Sequence, residues 1–183
     1  MSDEELLWGT PESLDERIEE LKREHPGWSH RVFLLYALDQ YREIDVARRA
    51  GRPGVLADIC TPGCIKVLEK EDSVINIPVR IQGVQMCAVS EDAEYDLIDV
   101  RFIGERKKGL EGPGEIIDYL RFERYRYEQS TDGETGFSET CGRCGGKIDP
   151  TTDWKCRYCD QRVNEQSTGW MVQKVMSQAT YVE

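Results

Sequence analysis

The stretch YDLIDVRFIGER, residues 95–106, alternates apolar with polar side chains and is the segment that decides the fold. Ile98, Val100 and Phe102 fall on one side of an extended chain, and the charged residues between them, Asp99 and Arg101, fall on the other. Alternation with a period of two is typical of a β-strand that buries one face. The sequence therefore predicts a strand over residues 95–106 with these three side chains in the core.

The segment before it predicts another strand, with a bend. From Ser73 the apolar residues alternate in one phase, and after Gly83 they continue in the opposite phase. The first set is Ile75, Ile77, Val79 and Ile81, and the second is Val84, Met86 and Ala88. A glycine at a change of phase indicates a β-bulge, which would curve a long strand.

A third strand is predicted over residues 116–129, after a glycine-rich connection at residues 107–114. Its apolar positions are Leu120, Phe122, Tyr125 and Tyr127, and the phase slips near Arg124. Three long strands joined in sequence favour an antiparallel sheet.

The first third of the chain reads as helical. A helix is predicted from residues 10–13 to the Pro26-Gly27 pair, and a second one begins after Ser29, a residue favoured at the N-cap. Trp28 and Phe33 occupy the two positions of a hydrophobic staple. Shorter helical pieces are predicted from about Val55 and over residues 62–70. The predicted fold class is α+β, with helices packed in a curved antiparallel sheet.

Composition limits the function classes. The chain has 183 residues and a formal net charge of −11, which would repel a phosphate backbone, so nucleic acid is not an expected partner. No apolar run is long enough to span a membrane, and the acidic N-terminus resembles neither a secretion signal nor a mitochondrial presequence. We expect a cytoplasmic protein with reduced cysteines.

Four cysteines give the strongest chemical signal. Cys141, Cys144, Cys156 and Cys159 form two C-x-x-C pairs separated by 11 residues. This spacing predicts one structural Zn²⁺ held by four thiolates, with no coordination position left for water. A redox dithiol pair or two disulfides are the alternatives.

The residues after each pair agree with two metal-binding turns. Gly145 and Gly146 follow the first pair, and glycine readily adopts the left-handed backbone that such a turn requires. Asp160 follows the second pair, and Asp is among the few residues that tolerate this conformation. We place an α+β body at residues 1–136, a zinc ribbon at residues 137–166, and a tail at residues 167–183 that packs back on the body through Trp170.

Parts of the chain resemble the Tim-forty-four-like domain family. The segment from Leu21 to Leu34, with a proline, an aromatic residue and a serine before a helix with an early phenylalanine, is similar to the opening of these domains. His25 stands where the family usually has an aspartate. Residues 95–102 and 122–127 resemble the second and third strands of the family, and many bacterial members continue into a double-knuckle ribbon and a short tail with a tryptophan.

The resemblance implies a cone-shaped fold of the nuclear-transport-factor-two-like kind. Known members tether the mitochondrial import motor or sit on the mitochondrial ribosome, and neither role is enzymatic. The basic amphipathic helices that bring the mitochondrial protein to the membrane have no counterpart here, because the corresponding residues are acidic. Peripheral membrane association therefore stays open.

Three further groups of residues invite a function, each beside a plainer account. Cys60, Cys64 and Cys87 suggest a second metal or redox site, but buried free thiols explain them equally simply. A second group on the second helix suggests a catalytic pocket, although its tyrosines would also fill a core and its acids could lie in solvent or act as caps. This group is His30, Tyr36, Asp39, Tyr41 and Asp45.

The last group is basic and suggests a stripe for an acidic partner. It comprises Arg101, Arg121, Arg124, Arg126, Lys107 and Lys108. The plainer account is a solvated face with ion pairs to Asp99, Glu105 and Glu123.

These features together predict a non-enzymatic protein-interaction or scaffold module with one structural zinc ion. The alternative is a small-molecule-binding or catalytic cone-fold domain with the ribbon as an appendage. The partner, the oligomeric state and the pathway are not encoded in any motif of the chain.

Overall fold

An antiparallel sheet of four strands, in the order β1-β2-β3-β4, organises the described part of the chain. The strands are β1 (Arg80–Glu91), β2 (Tyr95–Lys107), β3 (Pro113–Tyr125) and β4 (Met171–Ser177). The computed structural model describes residues 7, 14–24, 28–70, 77–107, 113–126, 140–141, 143–148, 155–160 and 169–181. The predicted α+β class is confirmed, with β2 and β3 at the centre of the sheet.

Three α-helices precede the sheet within the described residues. They are α1 (Asp15–Glu24), α2 (His30–Arg49) and α3 (Pro62–Leu68), with a short 3-10 helix at Pro53–Leu56 between the last two. Ser29 caps α2 by accepting a hydrogen bond from the Val32 amide at 3.4 Å. The rings of Trp28 and Phe33 lie 5.9 Å apart, which confirms the predicted staple at the start of this helix.

Helix α2 packs against one face of the sheet, called here the inner face, and forms the core with it. Phe33 meets Phe122 of β3 edge to face, with ring centroids 5.2 Å apart. About two turns further along the helix, Tyr41 stacks on Phe102 of β2, with ring centroids 4.4 Å apart. Ile98, Val100 and Phe102 are all buried, as their alternation predicts.

Strand β1 bends at two places. Its pairing with β2 shifts between Ile81 and Gly83, where the change of phase predicts a bulge, and again between Met86 and Ala88, where nothing in the pattern indicates one. At the start of β1 the two backbones come so close that a Cβ on Gly104 would lie 2.7 Å from the Arg80 carbonyl oxygen. Glycine at position 104 therefore permits the entry of β1 into the sheet.

Several boundary predictions are wrong. The predicted alternation extends back to Ser73, but β1 begins at Arg80 and Ile77 is exposed. The slip predicted near Arg124 does not occur against β2, since the pairing continues in register to Tyr95 opposite Tyr125. Tyr125 is consequently on the face away from α2 and is 42% exposed. Ile75 and Tyr127 lie outside the described residues.

The C-terminal segment supplies β4, which pairs with β3. Trp170, directly before it, is buried and lies 5.3 Å from Phe33 between ring centroids. The Tyr36 hydroxyl donates a hydrogen bond to the Trp170 carbonyl oxygen at 2.7 Å. The segment is thus a structural strand of the sheet, anchored by the tryptophan.

Both outer strands carry a short additional pairing. Leu7 forms an isolated parallel bridge with Val84 of β1, and Cys60 forms one with Val172 of β4. At β4 the Val172 amide donates to the Ile59 carbonyl oxygen at 2.7 Å, and the Thr61 amide donates to the Val172 carbonyl oxygen at 3.0 Å. These contacts satisfy backbone groups at the edges of the sheet.

Among the described residues, none of the helices combines the length and the apolar character needed to cross a bilayer.

We expect Trp170→Ala to lower the free energy of unfolding by about 3–5 kcal/mol, because it removes a buried aromatic ring that contacts the second helix. Urea denaturation followed by circular dichroism measures this loss. Val46→Ala is the matched control, since Val46 is 56% exposed on α2 and should change stability little. Equal midpoints for the two variants would contradict the role of Trp170 as an anchor.

Candidate metal centre

Four thiols converge in the C-terminal third of the chain. The sulfur atoms of Cys141, Cys144, Cys156 and Cys159 all lie within 4.8 Å of one another. Cys141 and Cys159 are 3.7 Å apart, and Cys144 and Cys156 are 3.5 Å apart, measured between sulfurs. A tetrahedral ion bound at about 2.3 Å would hold its sulfurs about 3.8 Å apart, so the cluster fits a metal ion held by four thiolates.

The first pair is held by a tight turn. Gly145 has φ +70°, and its amide donates to the Cys141 carbonyl oxygen at 2.8 Å. The Gly146 amide then lies 3.4 Å from the Cys144 sulfur as a hydrogen-bond donor. The left-handed glycine predicted after this pair is confirmed at Gly145, and it turns an amide toward a ligand sulfur.

The second pair repeats the turn with a different residue. Asp160 has φ +54°, and it is the one non-glycine residue with positive φ in the described part of the chain. Its amide donates to the Cys156 carbonyl oxygen at 2.8 Å, matching the bond made by Gly145. The two turns also touch, because a Cβ on Gly146 would lie 2.4 Å from the Tyr158 ring.

The environment of Cys141 favours the thiolate. Hydrogen bonds from the backbone amides of Cys144 and Arg143 lower the pKa of the Cys141 thiol to about 6. A thiolate is the form that binds metal, so less proton release is needed on binding at neutral pH. Four thiolate ligands would complete a tetrahedral shell around a bound ion, and a shell of this kind supports structure rather than reaction at the metal.

Among the described residues, an ion pair joins this four-cysteine unit to the body of the protein. Lys155, next to Cys156, places its Nζ 3.0 Å from Asp39 Oδ1 on α2. The unit has its own small core, in which Ile148 packs with Cys141 and Cys156. The positive charge of Lys155 is thus paired with a carboxylate on the second helix.

The other three cysteines lie elsewhere. Cys60 and Cys64 are buried in the body, and a hydrogen bond with Cys64 together with burial raises the pKa of the Cys60 thiol. Cys87 is half-buried on β1, where its sulfur lies 3.4 Å from the Asp99 carbonyl oxygen. None of the three forms a disulfide, which agrees with the account of buried free thiols for Cys60 and Cys64.

The residues of the suggested catalytic pocket are dispersed over α2. Tyr36 binds the Trp170 carbonyl, and Asp39 binds Lys155. The Tyr41 hydroxyl donates to Asp118 at 2.6 Å, and burial raises the pKa of this phenol. Asp45 is neither solvated nor a cap, because it is buried between Arg49 and Arg106, each 2.9 Å away.

His30, at the start of α2, is the remaining member of that group. Its ring lies near that of Trp28, with centroids 6.4 Å apart, and burial lowers the pKa of the imidazole. Neutral imidazole is therefore favoured at this position.

The suggested basic stripe is divided between the two faces of the sheet. Arg124 lies on the inner side, 4.7 Å above the Trp170 ring and 2.9 Å from Asp96. Arg126 also binds Asp96, at 3.4 Å. Arg101 and Arg121 lie on the opposite face, which we call the outer face. Lys108 and the side chain of Lys107 are outside the described residues.

Of the predicted ion pairs, only that of Asp99 involves a stripe arginine. Arg121 binds it through two nitrogens, each 2.7 Å from a carboxylate oxygen. Glu105 pairs with Arg80, and Glu123 accepts a hydrogen bond from Gln173.

Sequence reasoning missed the side chain that covers this outer face. Tyr181, after β4, stacks on Tyr119 with ring centroids 3.9 Å apart and an interplanar angle of 2°. Its hydroxyl lies 3.2 Å from Asp99 Oδ2 and 3.7 Å from the Cys87 sulfur. A single tyrosine near the end of the chain belongs to no periodic pattern of apolar residues. Its position on the outer face therefore follows only from the pairing of β4 with β3.

No protein-family model matches this chain, and a comparison with curated proteins likewise finds no match.

We expect Asp160→Gly to bind metal at least as tightly as the wild-type chain, and Asp160→Val to bind it about tenfold more weakly. Valine at positive φ costs about 1–2 kcal/mol, whereas glycine adopts this conformation without strain. Competition with a chromophoric chelator measures both affinities. Equal affinities for the glycine and valine variants would show that the turn does not depend on its left-handed residue.

Proposed function

We propose that the chain is a non-enzymatic protein-interaction or scaffold module braced by one structural Zn²⁺. The observation that carries this proposal is the convergence of four thiols at separations suited to a closed tetrahedral shell. Zinc is the ion that most commonly occupies such a site in proteins, and it has no redox chemistry there. The unit then serves as a small rigid extension of the body.

The link between Lys155 and Asp39 supports a joint surface. The Asp39 side chain is 13% exposed, so the ion pair is partly shielded from water. A single pair of this kind contributes about 1 kcal/mol or less, and it brings the four-cysteine unit next to α2. A partner protein that contacts this region would therefore meet residues of both parts.

Side chains fill the inner face of the sheet, and this supports an interaction module over an enzyme with a pocket at that place. Aromatic rings from α2, β2, β3 and the residue before β4 pack against one another where a ligand would have to lie. These rings belong to Phe33, Tyr36, Tyr41, Phe102, Phe122 and Trp170. The two irregularities in the pairing of β1 and the helix packed on the sheet are compatible with the proposed cone shape, because bulges curve a strand.

The resemblance to Tim-forty-four-like domains stays a prediction, and it points to the same class of function. The paired turns and the antiparallel bridge between Thr140 and Lys147 are compatible with a zinc ribbon after such a domain. A cytoplasmic location and the exclusion of nucleic acid rest on the charge and cysteine arguments from sequence.

One observation favours the alternative, a small-molecule site in the body. Gln40 on α2 is completely buried, and neither its side-chain oxygen nor its nitrogen has a hydrogen-bond partner in the part of the chain that is described. Buried amide groups normally have hydrogen-bond partners. Either a bound molecule supplies hydrogen bonds to the Gln40 side chain, or the folded protein bears the energetic cost of an unpaired amide.

We expect purified protein to contain about one zinc ion per chain, and Cys156→Ser to lose it while the sheet stays folded. Cys156 is fully buried in the metal unit, whereas the body has its own core. Elemental analysis gives the metal content, and circular dichroism follows the sheet. Cys87→Ser is the control, since Cys87 lies outside the unit and its variant should keep the metal. A metal content near zero in the wild type would remove zinc from the proposal.

The scaffold role is tested with the full chain as bait in its native extract, followed by reconstitution from purified components. We expect a defined protein to bind the wild-type chain and to bind Cys156→Ser more weakly, because the loosened unit no longer holds its part of the surface. Failure to reconstitute any protein complex would contradict the role.

Substitution of Gln40 distinguishes a core that is filled by side chains from a core that holds a bound small molecule. We expect Gln40→Leu to raise the free energy of unfolding by about 1–3 kcal/mol, because leucine has a similar size and needs no hydrogen bond. Thermal and urea denaturation measure the change. A loss of stability, with a small molecule recovered from wild-type protein but not from the variant, would favour the alternative function.

A further inference from the structure

The central part of the outer face presents charge and aromatic surface together. The register of β2 and β3 places Arg101 opposite Tyr119, and Asp99 opposite Arg121. These pairs alternate with Val100 and Leu120, which point to the inner face and are buried. β4 adds Lys174 beside Arg121. Three cations and one carboxylate thus share adjacent positions in a protein whose net charge is −11.

The carboxylate of Asp99 is already paired with the guanidinium of Arg121. Asp99 is buried, and both of its oxygens accept hydrogen bonds from Arg121 at 2.7 Å. The Tyr181 hydroxyl adds a third contact at 3.2 Å. The next acid along β3, Glu123, is held by Gln173. The acids of this region therefore leave the charge of Arg101 uncompensated.

Arg101 lacks an acidic partner among the residues that the structure describes. Its Nη2 contacts the neutral side-chain oxygen of Gln85. Its Nε is buried without a hydrogen-bond partner, although the side chain as a whole is half-buried. A guanidinium that has lost part of its hydration without gaining a carboxylate is in an unfavourable state. An incoming carboxylate beside the guanidinium would supply the missing opposite charge.

An aromatic platform lies beside this cation. Tyr119 is the cross-strand neighbour of Arg101, and Tyr181 lies flat on it with ring centroids 3.9 Å apart. Tyrosine and arginine are the residue types that contribute most to binding energy at protein interfaces. The rest of the acidic surface repels an acidic ligand and would direct it to this face.

We propose that the outer face binds an acidic segment of a partner protein, with Arg101 as the anchor for an Asp or Glu carboxylate. Lys174 extends the positive surface along the segment, and Tyr181, which covers the buried Tyr119, supports its apolar atoms. This inference rests on the proposed interaction function and names the chemistry of the partner.

The first test uses a fluorescein-labelled oligoglutamate peptide and the full chain, with fluorescence anisotropy as the readout. We expect Arg101→Gln to weaken binding about tenfold or more, as expected when a charge-assisted pair is lost. Arg52→Gln is the matched control, because it removes the same charge from an exposed residue outside the sheet. Binding should also weaken as salt rises from about 0.05 to 0.2 M. Equal weakening by the two variants would overturn the inference.

A second variant keeps the arginine and supplies a carboxylate from within the chain. Gln85→Glu changes the atom that already contacts Arg101 Nη2 into a charged acceptor. We expect it to raise the melting temperature and to weaken peptide binding about as much as Arg101→Gln does. Undiminished peptide binding would overturn the role of Arg101, and this result does not depend on whether Arg101→Gln folds.

The reconstituted partner distinguishes this inference from the interaction function itself. If the partner binds Arg101→Gln as tightly as the wild type, the outer-face inference is overturned, but the proposed interaction function is not contradicted. A partner that binds the wild type and loses affinity with Arg101→Gln but not with Arg52→Gln supports both. An oligouridine that displaces the peptide and binds more tightly than it would replace the acidic protein with nucleic acid, and would also overturn the inference.

Discussion

The contact between α2 and the inner face of the sheet is the constraint on which the rest of the structure depends. Phe33 joins Phe122 and Trp170 in edge-to-face contacts, and Tyr41 lies flat on Phe102. One helix thereby touches β2, β3 and the start of β4, although these elements are far apart in sequence. Large aromatic rings give this interface both its buried area and its geometry. The same helix carries Asp39, so the position of the metal unit depends on it as well.

Much of the fold follows from local pattern in the sequence. Alternation identified β2 and its buried residues, the N-cap and staple identified the start of α2, and the phase change at Gly83 identified one bulge. These features were predictable because each is fixed by a few adjacent residues. The second bulge of β1 and the start of that strand at Arg80 depend on contact with β2 instead, and Gly104 enters this contact from 24 positions away in the chain.

The functional residues also divide into those that local sequence predicts and those that depend on long-range contacts. The cysteine spacing predicted the cluster, and the residues after each pair predicted the left-handed backbone seen at Gly145 and Asp160. The roles of the arginines were not predictable, because they depend on which face of the sheet each residue occupies and on long-range register. Arg121 has a carboxylate directly opposite, whereas Arg101 has a tyrosine. Tyr181 could not be placed without the turn that follows β4.

The pairings at the two edges of the sheet have a consequence for self-association. An open edge offers unpaired amides and carbonyls to any extended chain, which is how many sheet proteins form fibrils. Here Leu7 occupies part of the edge of β1, and residues 59–61 occupy part of the edge of β4. A foreign strand that paired along the whole of either edge would have to displace a segment of the same polypeptide, at Val84 on one side and at Val172 on the other. These local pairings interrupt the continuous contact that such an added strand would need.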